Sequence, residues 1–169
     1  MKLYNKTKCP TELLRPLLLA AGKSVKADTG GVAVQVNPGR CGWLKGARGS
    51  AVKCDFVRIG KRWLQTNGGR IRLTLPGMIN SCYVDSLSLV EGFYQTAQHE
   101  WAHIKDYQAG TFVRSPQSKS GHRIRWAKRP CEQYANAQVM FAKKVNVDDL
   151  LIDLAIWIED EHKRIWERG

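Results

Sequence analysis

The sequence predicts an α+β fold, in which a small antiparallel sheet built on a hairpin packs against one long helix and the C-terminal half is helical. Residues 70–75 alternate apolar and polar side chains, which is typical of a strand with one buried face. Residues 88–109 instead repeat apolar side chains at helical spacing. At 169 residues the chain has the length of one domain. We expect residues 1–169 to form that domain, with a cleft between about 1–109 and 110–169.

The N-terminal half is predicted to hold one short helix followed by strands. Residues 10–21 favour the helix, with Thr11 as its cap, whereas the glycine-rich residues 22–50 are expected to be irregular. One candidate strand contains Val52, Phe56, Val57 and Ile59. The sequence Asn67-Gly68-Gly69 then lies between two apolar runs, which indicates a hairpin turn leading into the alternating strand.

Three helices are predicted in the rest of the chain. The first begins at the capping box Ser88-Leu89-Val90-Glu91 and ends at Gly110, which suits a C-cap. The second begins at Pro130, because proline suits the first helical position, and ends near Lys143, whose charge suits the C-terminal end of the helix dipole. The third covers about residues 147–168.

Composition and hydropathy exclude two broad classes of protein. The chain is 43% hydrophobic and contains six tryptophans, which is too much apolar surface for a disordered basic tail. No apolar run approaches the ~18–20 residues of a membrane-spanning helix. Arg15 and Pro16 interrupt the apolar run 13–21, which makes it a poor signal-peptide core. We therefore expect a cytoplasmic protein with no membrane partner.

The net charge of +12 is spread unevenly along the chain. Residues 40–75 carry nine Lys or Arg against one Asp, a net +8, and residues 105–130 carry seven against one, a net +6. Residues 145–169 carry three against seven, a net −4. Basic segments of this kind favour acidic or nucleic-acid partners. A basic nucleic-acid-binding protein with a non-catalytic metal site is therefore one alternative for the function.

The long helix contains His99-Glu100-Trp101-Ala102-His103, an HExxH motif. Residues four apart share one helical face, so both imidazoles can reach one Zn²⁺ at ~2.0–2.1 Å. Glu100 follows the first histidine, and its carboxylate can reach a water on the metal and act as general base. At the helical rotation of about 100° per residue, the histidines lie opposite the apolar stripe that contains Tyr94 and Trp101. This arrangement favours a zinc site facing a cleft, although a solvated helix face would give the same pattern.

A catalytic zinc site needs a third protein ligand. The metzincin pattern would require Gly at 106 and His at 109, where this chain has Asp106 and Ala109. Glu132 is the main candidate, because it lies 29 positions after His103 in the first turn of the next helix, which a short loop can fold back. His122 is the alternative ligand.

An HExxH motif with a downstream helical Glu, followed by a small residue three positions later, resembles the gluzincin metallopeptidases, and especially their minimal single-domain members. The resemblance covers about residues 70–142 and implies a zincin-like fold. It implies that one catalytic Zn²⁺ is bound by His99, His103 and Glu132, that Glu100 is the base, and that the reaction is peptide hydrolysis. It also implies that strand 70–75 is the sheet edge to which an extended peptide substrate adds.

The resemblance does not decide which residues support the ligand histidines or stabilise the oxyanion. Gluzincins often carry Asp four residues after the ligand Glu, where this chain has Asn136, whose amide oxygen can also accept an imidazole N–H. Asp106 is a second candidate for supporting a histidine. The candidates for stabilising the oxyanion are His122, Tyr107, Tyr134 and Arg129, and each also suits an ordinary surface or packing role.

The identity of the third ligand also affects which substrate or binding partner is expected. If it were His122, the site would resemble that of the DNA-linked SprT-like peptidases, which also carry basic surfaces. A peptidase acting on nucleic-acid-bound proteins is therefore a further alternative. The sequence predicts a peptide or protein substrate, with nucleic acid as a second candidate partner, and it leaves the cleavage preference and the oligomeric state open.

Overall fold

A computed structural model describes residues 1–39, 48–59, 61–76, 85–112 and 129–167. Within these ranges the chain forms an α+β fold with six strands and four helices. In chain order they are β1 (Lys2–Asn5), α1 (Thr11–Ser24), β2 (Ala33–Pro38), β3 (Arg48–Val52), β4 (Phe56–Ile59), β5 (Arg62–Gln65), β6 (Arg70–Leu75), α2 (Ser86–Ala109), α3 (Pro130–Met140) and α4 (Asp148–Trp166).

The main sheet is mixed, with the strand order β1-β2-β6-β3, so the prediction of an antiparallel sheet was wrong. β1 pairs with β2 in parallel, β2 pairs with β6 in parallel, and β3 pairs antiparallel with β6. The parallel pairing arises because α1 returns the chain between β1 and β2, as a crossover connection must. β1 and β2 were not predicted, and β2 lies in the region that was expected to be irregular.

The predicted hairpin was also misassigned, because β5 pairs with β4 in a separate two-stranded sheet and not with β6. Asn67-Gly68-Gly69 instead turns the chain out of β5 and into the main sheet. Gly68 and Gly69 both have positive φ values, and a Cβ at Gly69 would overlap the carbonyl oxygen of Val52. The predicted strand from Val52 to Ile59 is divided between the end of β3 and β4.

β6 is an interior strand, which contradicts its prediction as the edge for a substrate. Its alternating apolar side chains, Ile71, Leu73 and Leu75, are all buried and draw the strand into the middle of the sheet. In the described sheet order the end position on this side belongs to β3, which pairs along one side with β6. Any strand addition next to α2 would therefore occur at β3.

The helices follow the predictions more closely. The N-cap of α2 is Asp85, three residues before the expected cap Ser88, because the carboxylate of Asp85 accepts hydrogen bonds from the N–H and the hydroxyl of Ser88. Gly110 is the predicted C-cap, with φ +71°. Pro130 begins α3 as predicted, although α3 ends at Met140, before the lysines expected at its end.

One apolar core joins α1, the sheet, α2 and α4, and it determines the rotation of α2. Trp101, in the middle of the HExxH motif, is fully buried in this core together with Phe93 and Leu154. Gly22 of α1 allows the close approach, since an added Cβ would lie 3.1 Å from the Trp101 ring. With Trp101 held in the core, the neighbouring residues His99 and His103 are turned toward α3.

Candidate metal centre

Three side chains from α2 and α3 meet at one point. The Nε2 atom of His99 lies 3.0 Å from Oε2 of Glu132, and Nε2 of His103 lies 3.4 Å from the same oxygen. The two Nε2 atoms are 3.2 Å apart. The structure thus brings together the three residues that the sequence nominates as ligands, and they form a group that could hold a metal ion.

The spacing of these three atoms fits a tetrahedral metal ion. Ligand atoms ~2.05 Å from one tetrahedral Zn²⁺ lie about 3.3 Å from one another. The observed distances of 3.0 to 3.4 Å match this edge length. When both neutral rings carry their proton on Nδ1, the two Nε2 atoms and the carboxylate oxygen direct lone pairs at one point, where a cation would be bound favourably. Two imidazoles and one carboxylate are also a donor set that suits zinc.

The local sequence explains how each ligand reaches this point. His99 and His103 are one turn apart on α2, and their rings meet edge to face with centroids 4.8 Å apart. Pro130 starts α3 so that Glu132 falls in its first turn, where the helix dipole favours a negative charge. The amino group of Lys105 donates to the side-chain oxygen of Gln138 and joins the two helices beyond the ligands.

The three candidate ligands are shielded from solvent. The side chains of His99, His103 and Glu132 are 13%, 8% and 10% exposed, so they do not form a solvated helix face. Burial, followed by the proximity of His99, lowers the pKa of His103, while Glu132 and Asp106 act in the opposite direction. The net effect favours the neutral imidazole, which is the form that binds a metal.

Glu100 lies against the edge strand β3. It is buried, and its carboxylate accepts a hydrogen bond from the N–H of Ala51. Burial, and next the negative charge of Glu132, raise the pKa of Glu100 to about 8. The motif therefore presents a carboxylate of unusually high proton affinity beside the three candidate ligands.

Gly49 of β3 is required for this close approach. A Cβ built at Gly49 would lie 2.6 Å from both Cγ and Oε1 of Glu100 and 2.8 Å from Cγ2 of Thr96. We predict that Gly49→Ala forces Glu100 to shift and lowers the free energy of unfolding by about 1–3 kcal/mol, as overpacking does. Urea denaturation of the metal-free protein measures this change.

The matched control for Gly49→Ala is Gly92→Ala on the same helix as Glu100. A Cβ at Gly92 meets nothing within 4 Å in the described structure, so the change should leave stability the same or raise it by up to ~1 kcal/mol, because alanine is the better helix former. If Gly49→Ala were as stable as Gly92→Ala, the contact between β3 and Glu100 would be disproved.

Tyr107 connects the histidines to β3. Its ring stacks on that of His103 with centroids 6.5 Å apart, and its hydroxyl donates to the carbonyl oxygen of Ala51 at 3.4 Å. Burial, followed by the charges of Cys131 and Glu100, raises the pKa of Tyr107 to about 12, so this phenol stays a neutral donor. Ala51 thus binds one side chain of α2 through its N–H and another through its C=O.

The other residues nominated for support differ in position. Asp106 is buried, accepts a hydrogen bond from the Thr111 hydroxyl, and partly offsets the lowering of the His103 pKa through its negative charge. Asn136 is exposed on α3, so the predicted substitute for the gluzincin aspartate faces outward. Nδ1 of His103 is buried and has no hydrogen-bond partner among the described residues.

The remaining oxyanion candidates are less well placed or not described. Arg129 is the N-cap residue of α3 and Tyr134 lies in its second turn, and both are half-buried. His122, the alternative ligand, lies outside the described residues. The sequence did not predict a role for Gly49 or Ala51. Gly49 contributes by its small size and Ala51 by its backbone N–H and C=O, and in the sequence they are marked only by the run of small side chains 49–51.

Comparison with known proteins does not assign the chain to a family. No family model, curated protein or solved structure matches it. Among the described helices, none combines the length and apolarity needed to cross a membrane. The side chains around His99, His103 and Glu132 are therefore the features from which a function can be inferred.

Proposed function

We propose that this protein is a zinc-dependent metallopeptidase with a zincin-like fold, similar to the minimal gluzincins. His99, His103 and Glu132 would hold one Zn²⁺, and Glu100 would be the catalytic base. The observation that supports the proposal most strongly is the convergence of three ligand atoms within 3.0–3.4 Å beside a buried fourth residue, Glu100.

The chemistry requires a proton carrier, and Glu100 suits that role. When bound, Zn²⁺ supplies Lewis-acid activation of a water and of the scissile carbonyl. Glu100 takes the proton of the attacking water and later delivers it to the leaving amine. The Glu100 pKa of about 8 is that of the metal-free protein, and the positive charge of a bound Zn²⁺ would lower it and so favour the carboxylate, which is the form that accepts a proton. The N–H of Ala51 orients the carboxylate throughout.

The substrate would bind along β3, the edge strand next to Glu100. In an antiparallel pair, alternate residues direct their backbone groups toward and away from the partner strand. The backbone of Ala51 bonds to Glu100 and Tyr107 and so faces away from β6. Gly49, two residues earlier, then faces the same side, and an extended peptide could pair there close to Glu100.

The alternative function is nucleic-acid binding with a non-catalytic metal. Structural zinc sites are closed by four protein ligands. Within the described residues the metal-binding group has three members, with Glu100 next to it. Three ligands with a carboxylate beside them match the composition of a catalytic site, whereas the basic charge of the chain suits a nucleic-acid partner.

The proposed activity can be tested without knowing the natural substrate. We expect the zinc-loaded protein to cleave members of a mixed peptide library, with new termini identified by mass spectrometry. Cleavage should stop after removal of zinc with 1,10-phenanthroline and return when about one equivalent of zinc is restored. Cleavage that persists without metal, or a library left intact by protein with one bound zinc, would contradict the proposal.

A further inference from the structure

The β4–β5 hairpin has an outward face with two exposed aromatic rings. Directly opposed residues of an antiparallel pair share a face, and here Phe56 is opposite Gln65 and Arg58 is opposite Trp63. Phe56 and Trp63 are 57% and 67% exposed, and Arg58 and Gln65 are exposed as well. We call these four residues the hairpin face.

The other side of the hairpin accounts for its packing. Val57 is 3% exposed and is opposite the half-buried Leu64, so this side holds the hairpin to the protein. At the open end of the hairpin, the Thr66 hydroxyl donates to the carbonyl oxygen of Cys54 and the Thr66 N–H donates to that of Asp55. The exposed rings are therefore not needed for the internal packing that these contacts provide. Large aromatic side chains that stay exposed on a hairpin whose other side is packed indicate an interaction surface.

The charge of the hairpin indicates the kind of partner. Cations outnumber carboxylates along residues 53–65 by four to one. The cations are Lys53, Arg58, Lys61 and Arg62, and the carboxylate is Asp55. All four cationic side chains are exposed. A surface that interleaves cations with flat aromatic rings complements a chain of phosphates that carries unpaired bases.

We infer that the hairpin face binds single-stranded nucleic acid. Trp63 and Phe56 stack on bases, while Arg58 on the same face and Lys61 in the connection between β4 and β5 contact the phosphates. The two rings lie diagonally across the strand pair, a spacing of ~7–8 Å between residues, so they can serve two nucleotides of one strand. The interaction is separate from the metal centre and does not depend on peptidase activity. Duplex DNA, whose bases are already stacked, should bind more weakly.

Fluorescence anisotropy with a labelled oligothymidylate of about 20 nucleotides tests the inference. We expect binding at low salt that weakens linearly in log–log plots as salt increases. Trp63→Ala should weaken binding by about tenfold or more, and Trp63→Phe, which keeps a stacking ring, should restore most of it. The double substitution Arg58→Gln and Lys61→Gln should reduce the salt slope by about 1.4.

A matched control uses an exposed apolar side chain on the acidic helix. Ile156 of α4 is also more than half exposed, and Ile156→Ala should leave oligothymidylate binding unchanged. Binding of the wild type that is not weakened by Trp63→Ala would overturn the inference, as would an absence of binding at low salt. Loss of self-association in Trp63→Ala, measured by sedimentation, with unchanged oligonucleotide affinity would also overturn it, because the face would then bind a second copy.

Discussion

Glu100→Gln is expected to leave zinc bound and to reduce peptide hydrolysis by about 10³-fold, the range typical of removing a general base. Glutamine keeps the shape of the side chain and can still accept the Ala51 N–H, but it cannot take up the proton of the attacking water. The rate of cleavage of one library-derived peptide, measured with the zinc content of the same sample, gives the comparison.

Glu91→Gln is the control for this substitution, because Glu91 is an exposed glutamate on the same helix. Its activity should equal that of the wild type. If Glu100→Gln retained full activity with one zinc bound, Glu100 would not be the base. If it lost both zinc and activity, the side chain would instead be needed to form the site.

The same substitution should change the pH dependence of stability in the metal-free protein. A carboxyl whose pKa is raised from 4.5 to about 8 contributes stability below pH 4.5 that is lost as the pH rises toward 8. Glutamine has no such proton to lose. Metal-free Glu100→Gln should therefore melt higher than the wild type at pH 8, by roughly 5–10 °C for a difference on the order of 3 kcal/mol, and at nearly the same temperature near pH 4.5.

Zinc should stabilise the folded protein strongly, and this effect should depend on Glu132. Free zinc about 1,000-fold above its dissociation constant stabilises a binding-competent fold by ~4 kcal/mol, or about 10 °C in melting temperature for a chain of this size. Glu132→Ala removes the ligand atom that lies nearest to His99. The zinc-dependent increase in melting temperature should be mostly lost in this variant.

Gln133→Ala provides the comparison on α3, because Gln133 is the exposed neighbour of Glu132. It should keep the zinc-dependent shift of the wild type. A full shift in Glu132→Ala, or an equal loss in Gln133→Ala, would show that zinc acts elsewhere or that α3 tolerates no substitution. Differential scanning calorimetry with and without zinc measures all three proteins.

The convergence of His99, His103 and Glu132 could be anticipated from the sequence, because helical spacing is local. Two histidines four residues apart must share a helix face, and Trp101 between them indicates which face is buried. The position of Glu132 needed only that Pro130 start a helix that returns to the first one. For the same local reason, Gly110 and Pro130 correctly marked the helix ends.

The sheet was largely unpredictable because strand pairing is non-local. The alternation in residues 70–75 correctly indicated a buried face, but it could not show that β2 and β3 pair on either side. β3 has small or polar side chains at most positions and acts through its backbone, so its contact with Glu100 has no signature in residue type. For this reason the sequence predicted β6 at the edge of the sheet, whereas the structure has β3 there.

One zinc ion held by His99, His103 and Glu132 would give the protein a defined metal content. Inductively coupled plasma mass spectrometry of the purified, desalted wild type, Glu100→Gln and Glu132→Ala measures that content. We expect about one zinc per chain in the first two proteins and little in the third. A wild type that neither contains zinc nor takes it up would contradict the proposed site, and a Glu132→Ala protein that keeps its zinc would refute the third ligand.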